Sequence, residues 1–375
     1  VKFLRYGQYF IEKSNEGVLA YICPHGFLDN PTFRGMRWNL LKTYDKIYTI
    51  DLHGNSKKKE VSPDGSADVN VFDIQQGVSI NFFIKTGQKK AKELAKVFHH
   101  DLYGAREFKY EFLKNNSVST IPYSKLPNSA PMYFMVKKDF EAEKEYNKGF
   151  SLNDLFIAKS NGGFTARDSF NVHINADAVK NTLENFLALD DEDARRHFKL
   201  GKDVQDWKVH LAREDLVNSG VDYEKFTKPI LYRPFDVKQT YYTGVSKGLH
   251  CRPRGNFMLP FLETKNPIAL VVGRQGQVVG GMNWNLCFIT NTLVDLNVYY
   301  RGGGVVFPLK FGEGNINFDN EVYEKILNSA VLGDSLAIDI IDYIYAILHS
   351  PTYRDKYKEF LKSDFPKIPY PKGKN

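Results

Sequence analysis

Apolar and polar positions over the first 85 residues repeat with two different periods, and the switches between them mark out elements. Phe3, Leu4, Tyr6, Phe10 and Ile11 put an apolar stripe on an opening helix that ends at Asn15 to Gly17. GVLAYICP (Gly17–Pro24) is then a continuous apolar run of strand length, the pattern of a strand buried on both faces in a parallel sheet. In FRGMRWNLLKTY (Phe33–Tyr44), Met36, Leu40, Leu41 and Tyr44 fall at helical spacing, and KIYTIDL (Lys46–Leu52) reads as the next strand. Val78, Ile80, Phe82 and Ile84 alternate with Ser79, Asn81 and Phe83, as in a strand with one face on a core. Strand, helix, strand, long loop and strand describe the closing half of a doubly wound, Rossmann-like α/β sheet.

The pattern changes downstream. Lys89 to Asn116 reads as a charged helical connector, and the proline-punctuated IPYSKLPNSAPMYFMV opens a second region of short strands. Helices are expected over 176–187 and 190–198, strands within 231–243, 267–275 and 286–292, and two final helices over 335–348 and 352–361, parted by Pro351. This second region is α+β. The expected divisions are 1–88 for the sheet, 89–118 for the connector, 119–330 for the second domain and 331–375 for the C-terminal helices.

Composition narrows the function classes. The 375 residues carry 51 Lys plus Arg against 44 Asp plus Glu, a net charge of +7 that favours a polyanionic partner such as nucleic acid. Cys23, Cys251 and Cys287 are far apart with no CxxC, which argues against a disulfide framework or structural zinc and fits a reducing cytoplasm. No apolar run approaches the roughly 18 residues of a membrane span. The chain opens directly on a helix with Val1 rather than Met, and reads as a piece of something longer.

Several constellations invite a catalytic reading. His25, Asp51 and His53 share one sheet edge in the expected topology, yet no nucleophile elbow or HExxH accompanies them, so polar loop-end residues are the competing account. His99 and His100 read as a solvated helix end. Pro63, Asp64 and Asp68 lack the Glu-x-Lys that would complete a nuclease cluster. The glycine-dense GRQGQVVGG and RGGGVV lead into strand-like residues and open no helix, so neither is a phosphate-cradling turn. Arginines in glycine, proline or aromatic contexts are better represented: Arg167 in GGFTARDSF, Arg233 in YRPFD, Arg252 and Arg254 in RPRGN, Arg274 in GRQG and Arg301 in YYRGGG. Such loops can bring a guanidinium to a phosphate or to a guanine edge. Internal pairing with Asp168 or Asp236 is the alternative.

YICPHGFLDNPTFRGMRWNLLKTYDKIYTIDLHGNSKKKE, VNVFDIQQGVSI, GGFTARDSF, YRPFD, RPRGN, VVGRQ, FPL and the closing YIYAILHSPTYRDKYKEFLKSDFPKIPYP together resemble the single-chain type ISP restriction-modification enzymes and their type IIG relatives. The likeness runs over nearly the whole chain. It implies the C-terminal half of a gamma-type adenine-N6 DNA methyltransferase domain followed by a target recognition domain. It further implies double-stranded DNA as partner, S-adenosylmethionine as cofactor of the complete enzyme, and a front half outside this chain that carries the Asn-Pro-Pro-Tyr motif and the cofactor turn. Neither motif occurs here, so no bound cofactor and no independent catalysis are expected of this fragment. Phe72 matches the position of the aromatic residue that stacks on a flipped adenine; the alternative is a plug at the end of the sheet. Lys159, Thr165, Arg167, Arg252, Arg254, Arg274 and Gln275 are the expected DNA contacts, with Arg233 and Asp236 structural. An autonomous specificity or assembly module without catalysis is the other function class.

Overall fold

The structure is a computed structural model that describes residues 2–90, 92–204, 206–273, 284–299, 303–330, 336–361 and 365–372. Arg274, Gln275 and Arg301 lie outside the described residues. The chain forms two compact units, one through Lys144 and one from Glu145.

The first unit comprises α1 (Lys2–Ser14), β1 (Gly17–Pro24), α2 (Arg34–Thr43), β2 (Lys46–Asp51), β3 (Val78–Lys85), β4 (Lys96–Asp101), α3 (Arg106–Asn115) and β5 (Ser124–Leu126). The sheet order is β1-β3-β2-β4-β5. β3 runs antiparallel to both neighbours, pairing Gly17 with Lys85 and Asp51 with Ser79, whereas β2 and β4 are parallel. Alternation along β2 sends Ile47 to one core and Ile50 to the other. Leu40 and Leu41 of α2 fill the first; Phe112 and Leu113 of α3 pack on the second. A sheet with helices on opposite faces is the α/β arrangement expected from the pattern.

Two expectations need correction. β1 is an edge strand paired antiparallel on one side: Val18 and Ile22 are 60% and 49% exposed while Leu19 and Tyr21 face inward. Its continuous apolar run therefore does not mark burial on both faces. The segment 89–116 is not a helical connector throughout, because Lys96–Asp101 is a strand of the sheet. Val97 and His99 are buried on one face while Phe98 stacks on Tyr48 at 4.8 Å across the ladder, a tertiary pairing that overrides the helix-forming composition around it. His99 is accordingly a core residue, not a solvated helix end.

The second unit is mixed α/β. A four-stranded antiparallel sheet runs in the order Cys287–Thr290, Ala269–Val272, Val305–Pro308, Ser160–Asn161, and its two central strands are buried at every position. Thr227–Arg233 and Asp236–Tyr241 form a hairpin, with Leu293–Val294 parallel at its side. Helices Ala176–Ala188, Asp191–His197 and Val209–Asn218 surround the fully buried Trp207 and Phe186. Their starts follow from sequence: Asn175 and Asp190 each cap the backbone N–H three residues on. The C-terminal helices Ala337–His349 and Pro351–Leu361 pack on this unit, with His349 bonded to the Cys287 carbonyl at 3.0 Å. Among the described residues no helix is long and apolar enough to cross a membrane.

Candidate nucleic-acid interface

In the first unit, the long loop between β2 and β3 carries Phe72, a residue 44% exposed. The backbone that leads into it is fixed. The Phe72 N–H donates to Asn70 Oδ1 at 2.9 Å, and the buried Asn70 amide donates onward to the carbonyls of Gly54 and Gln76. Gly54, at φ +76°, lies so close to Asn70 that an added Cβ would meet its backbone at 2.4–2.5 Å. Asp73, Gln75 and Gln76 are exposed beside the ring.

The start and the end of this loop rest on a histidine–carboxylate cluster at the carboxyl ends of β2 and β4, where ligand sites of open α/β sheets collect. His25 reaches Asp51 at 2.9 Å, while His53 reaches Glu60 at 2.8 Å and Asp101 at 3.1 Å; Asp101 also receives His99 at 2.9 Å. Burial alone would lower the His53 pKa, but the bonds to Asp101 and Glu60 outweigh it and raise it to about 10. Burial opposes ionisation of Asp51 and Glu60 as well, yet their histidine partners hold both below the usual carboxylate range. His25, His53 and Glu60 offer ligand atoms within 4.8 Å of one another. Both ring nitrogens of His53 lie against carboxylates, an arrangement that favours the imidazolium form. His25, Asp51 and His53 thus do come together, as a loop anchor.

In the second unit the GGFTARD and RPRGN loops are brought side by side. Phe164 and Arg252 exchange both backbone hydrogen bonds at 2.9 Å. Gly163 eases that approach, since a Cβ there would meet the Pro253 carbonyl at 3.2 Å, and Gly162 lies against the Asp295 backbone, which a Cβ would meet at 2.7 Å. Thr165 is fully buried with its hydroxyl donated to Asp168. The Arg167 guanidinium lies 4.7 Å over the Trp207 ring and donates to the Ala166 and Lys202 carbonyls. Lys159 donates to the carbonyls of Asn153 and Phe156. Arg233 donates to Asp295 at 2.9 Å and approaches Asp168 at 3.6 Å, while Asp236 pairs with Lys238.

Arg252 and Arg254 differ. The Arg252 side chain is 60% exposed and pairs with Asp206. The Arg254 side chain is exposed and, among the described residues, makes no hydrogen bond or ion pair. Its backbone is left-handed, φ +61°, at the N-cap of helix Gly255–Leu262, and Gly255 meets the Gly244 carbonyl so closely that a Cβ would fall 2.1 Å away. The two arginines line an open cavity of about 360 Å³ with Ser160, Ser246 and Asn256. Asn256 closes the RPRGN motif, whereas no local pattern marks Ser246 on the cavity wall or Asp206 beside Arg252, because the cleft assembles segments far apart in the chain.

A family model described as the Type ISP C-terminal specificity domain matches residues 154–375, more than half of the chain. The chain belongs to the Type ISP restriction-modification family. Three solved structures share its fold. A cryo-EM structure of a DrdV–DNA complex is 21% identical with a TM-score of 0.64, over 98% of this chain and 37% of that one. The ATP-dependent Type ISP restriction-modification enzyme LlaBIII, bound to DNA, is 21% identical with a TM-score of 0.65, over 97% of this chain and 24% of that one. A nuclease-deletion mutant of the Type ISP enzyme LlaGI, in complex with a DNA substrate mimic, is 18% identical with a TM-score of 0.58, over 94% and 33%. This chain therefore spans between 24% and 37% of the length of these structural relatives. No curated protein matches it.

Proposed function

We propose that this Type ISP chain recognises a short sequence in double-stranded DNA, as the specificity-bearing part of an adenine-N6 methyltransferase. The carrying observation is the cavity with Arg252 and Arg254 at its wall, built where two loops far apart in sequence exchange backbone hydrogen bonds. Guanidinium groups at an open, polar cleft suit phosphate and base-edge contacts. In this reading Arg252 and Arg254 touch DNA. Thr165 and Arg167, whose polar groups are held within the second unit, set the shape of the GGFTARD loop, and Lys159 is a phosphate contact at its flank.

The first unit, in the same proposal, is the closing half of the methyltransferase sheet. The exposed Phe72 ring on a fixed loop just ahead of β3 supports stacking on a flipped adenine, whose extrusion costs a few kcal/mol that a π-face offsets. The open edge of β1, with Val18 and Ile22 exposed, supports completion of the sheet by polypeptide from outside this chain. Residues fit for S-adenosylmethionine are not among those described: β1 leads into the short turn His25–Leu28, not into a glycine-rich turn opening an α-helix.

Selection of bound duplexes from a random-sequence pool, repeated across a salt series, tests the reading. One enriched asymmetric, adenine-containing motif on a steep salt slope is expected. Absence of binding at low salt would overturn it.

A further inference from the structure

The Phe72 loop is held from one side by a single helix. Arg106, Lys109 and Tyr110 of α3, at i, i+3 and i+4, share one helical face, and all three reach across to residues 68–73. Arg106 donates to the Asn70 carbonyl and to Asp73, each at 2.8 Å. Tyr110 donates its hydroxyl to the Val71 carbonyl at 2.6 Å. Lys109 is fully buried, and its ammonium meets three acceptors: the carbonyls of Leu52 and Val69, and Asp68, at 2.7, 2.8 and 2.7 Å. An ammonium has three protons to donate, so the group is saturated. Asp68 is equally committed, accepting the Gly104 and Gly54 N–H groups as well.

Every backbone carbonyl from Val69 to Val71 is thus tied to α3, and the next residue is the exposed phenylalanine. Leaving such a ring partly in water forgoes the stabilisation that burying the rest of its apolar surface would give. A loose loop would fold the ring onto the nearest apolar surface. Fixing the backbone that leads into Phe72, with Asp73 held through its side chain on the other side, opposes that collapse and removes in advance part of the ordering cost that base capture would otherwise carry.

We propose that α3 is a latch, with Arg106, Lys109 and Tyr110 as positioning residues that hold Phe72 outward for an extruded base. The proposal rests on the adenine-stacking reading of Phe72, and the experiment separates the two. The full chain carries 4-fluorophenylalanine at position 72, and its ¹⁹F spectrum is recorded with and without duplex DNA containing unpaired adenines. The variant combines Arg106→Leu with Tyr110→Phe, which spares the buried Lys109–Asp68 pair. Arg106→Lys with Tyr110 intact is the conservative rescue.

The expected result is a single line in the parent that shifts on adding DNA. In the double variant that line moves toward the free-amino-acid position and narrows, affinity for unpaired-adenine over fully paired DNA falls at least about threefold, and the thermal midpoint stays nearly constant. The rescue variant returns toward the parent. A variant spectrum and DNA preference identical to the parent's would overturn the latch. A parent line indifferent to DNA but displaced in the variant would remove the stacking reading and leave the latch standing.

Discussion

Arg254→Gly should make this protein more stable and a poorer DNA binder at once. The residue sits at φ +61°, where a side chain costs about 1–2 kcal/mol and glycine costs nothing. Glycine loses about 0.5–1 kcal/mol through its freer unfolded chain, leaving a net gain centred on about 0.75 kcal/mol. The side chain has no partner among the described residues to lose, and the bonds that start the helix, from the Phe257 and Met258 N–H groups to the Arg254 carbonyl, are backbone and survive. In a unit of this size the thermal midpoint should rise by about 1–4 °C. A phosphate contact removed should lower the salt slope of DNA binding by about 0.9 and weaken affinity by about tenfold at moderate salt. Differential scanning calorimetry and fluorescence anisotropy over a salt series measure both. A lowered midpoint would mean that the left-handed backbone carries no strain, and an unchanged slope would take Arg254 out of the interface.

Two further outcomes follow from the charges. Asp206→Asn releases Arg252 from its exposed partner and removes a negative charge beside the cleft, so DNA affinity at low salt should rise about two- to fivefold; no change would mean that Arg252 is not used. His53 has a folded pKa of about 10 against about 6.5 unfolded. Its contribution is therefore complete below pH 6.5 and is lost as pH rises through 10, by a few kcal/mol in all. Urea unfolding of the parent and of His53→Gln should show a gap that narrows between pH 7 and pH 9.5, and a gap that widens would contradict the imidazolium assignment. At the acid end, the lowered pKa values of Asp51 and Glu60 give stability that is present above about pH 4 and lost as pH falls further.

Much of the first unit was legible in the chain because its signals are local. Alternation in VSINFFIK and the turn residues around KIYTIDL set the bounds of β2 and β3 within a residue. β4 was not legible: AKELAKVFHHD is rich in helix formers, and only pairing with β2, some fifty residues earlier, makes it a strand. Lysine burial was equally hidden. Composition places lysines on surfaces, and nothing next to Lys109 in sequence announces that Leu52, Asp68 and Val69 converge on it. In the second unit the arginine-bearing loops were found as motifs, but their neighbours were not. Which guanidinium faces outward was settled by Trp207 and Asp206, residues that carry no mark of their role until the helices bring them into place.

The near-contact of Gly244 with Gly255 has a consequence for anyone wishing to redirect what this protein reads. That elbow leaves no room for even a methyl group, so the frame of the cleft is closed to variation while its lining is open. A combinatorial library aimed at new sequence preference would hold Gly162, Gly244 and Gly255 constant and randomise Ser160, Ser246, Arg252, Arg254 and Asn256. The chemistry displayed to the duplex could then be exchanged side chain by side chain on an unaltered chassis.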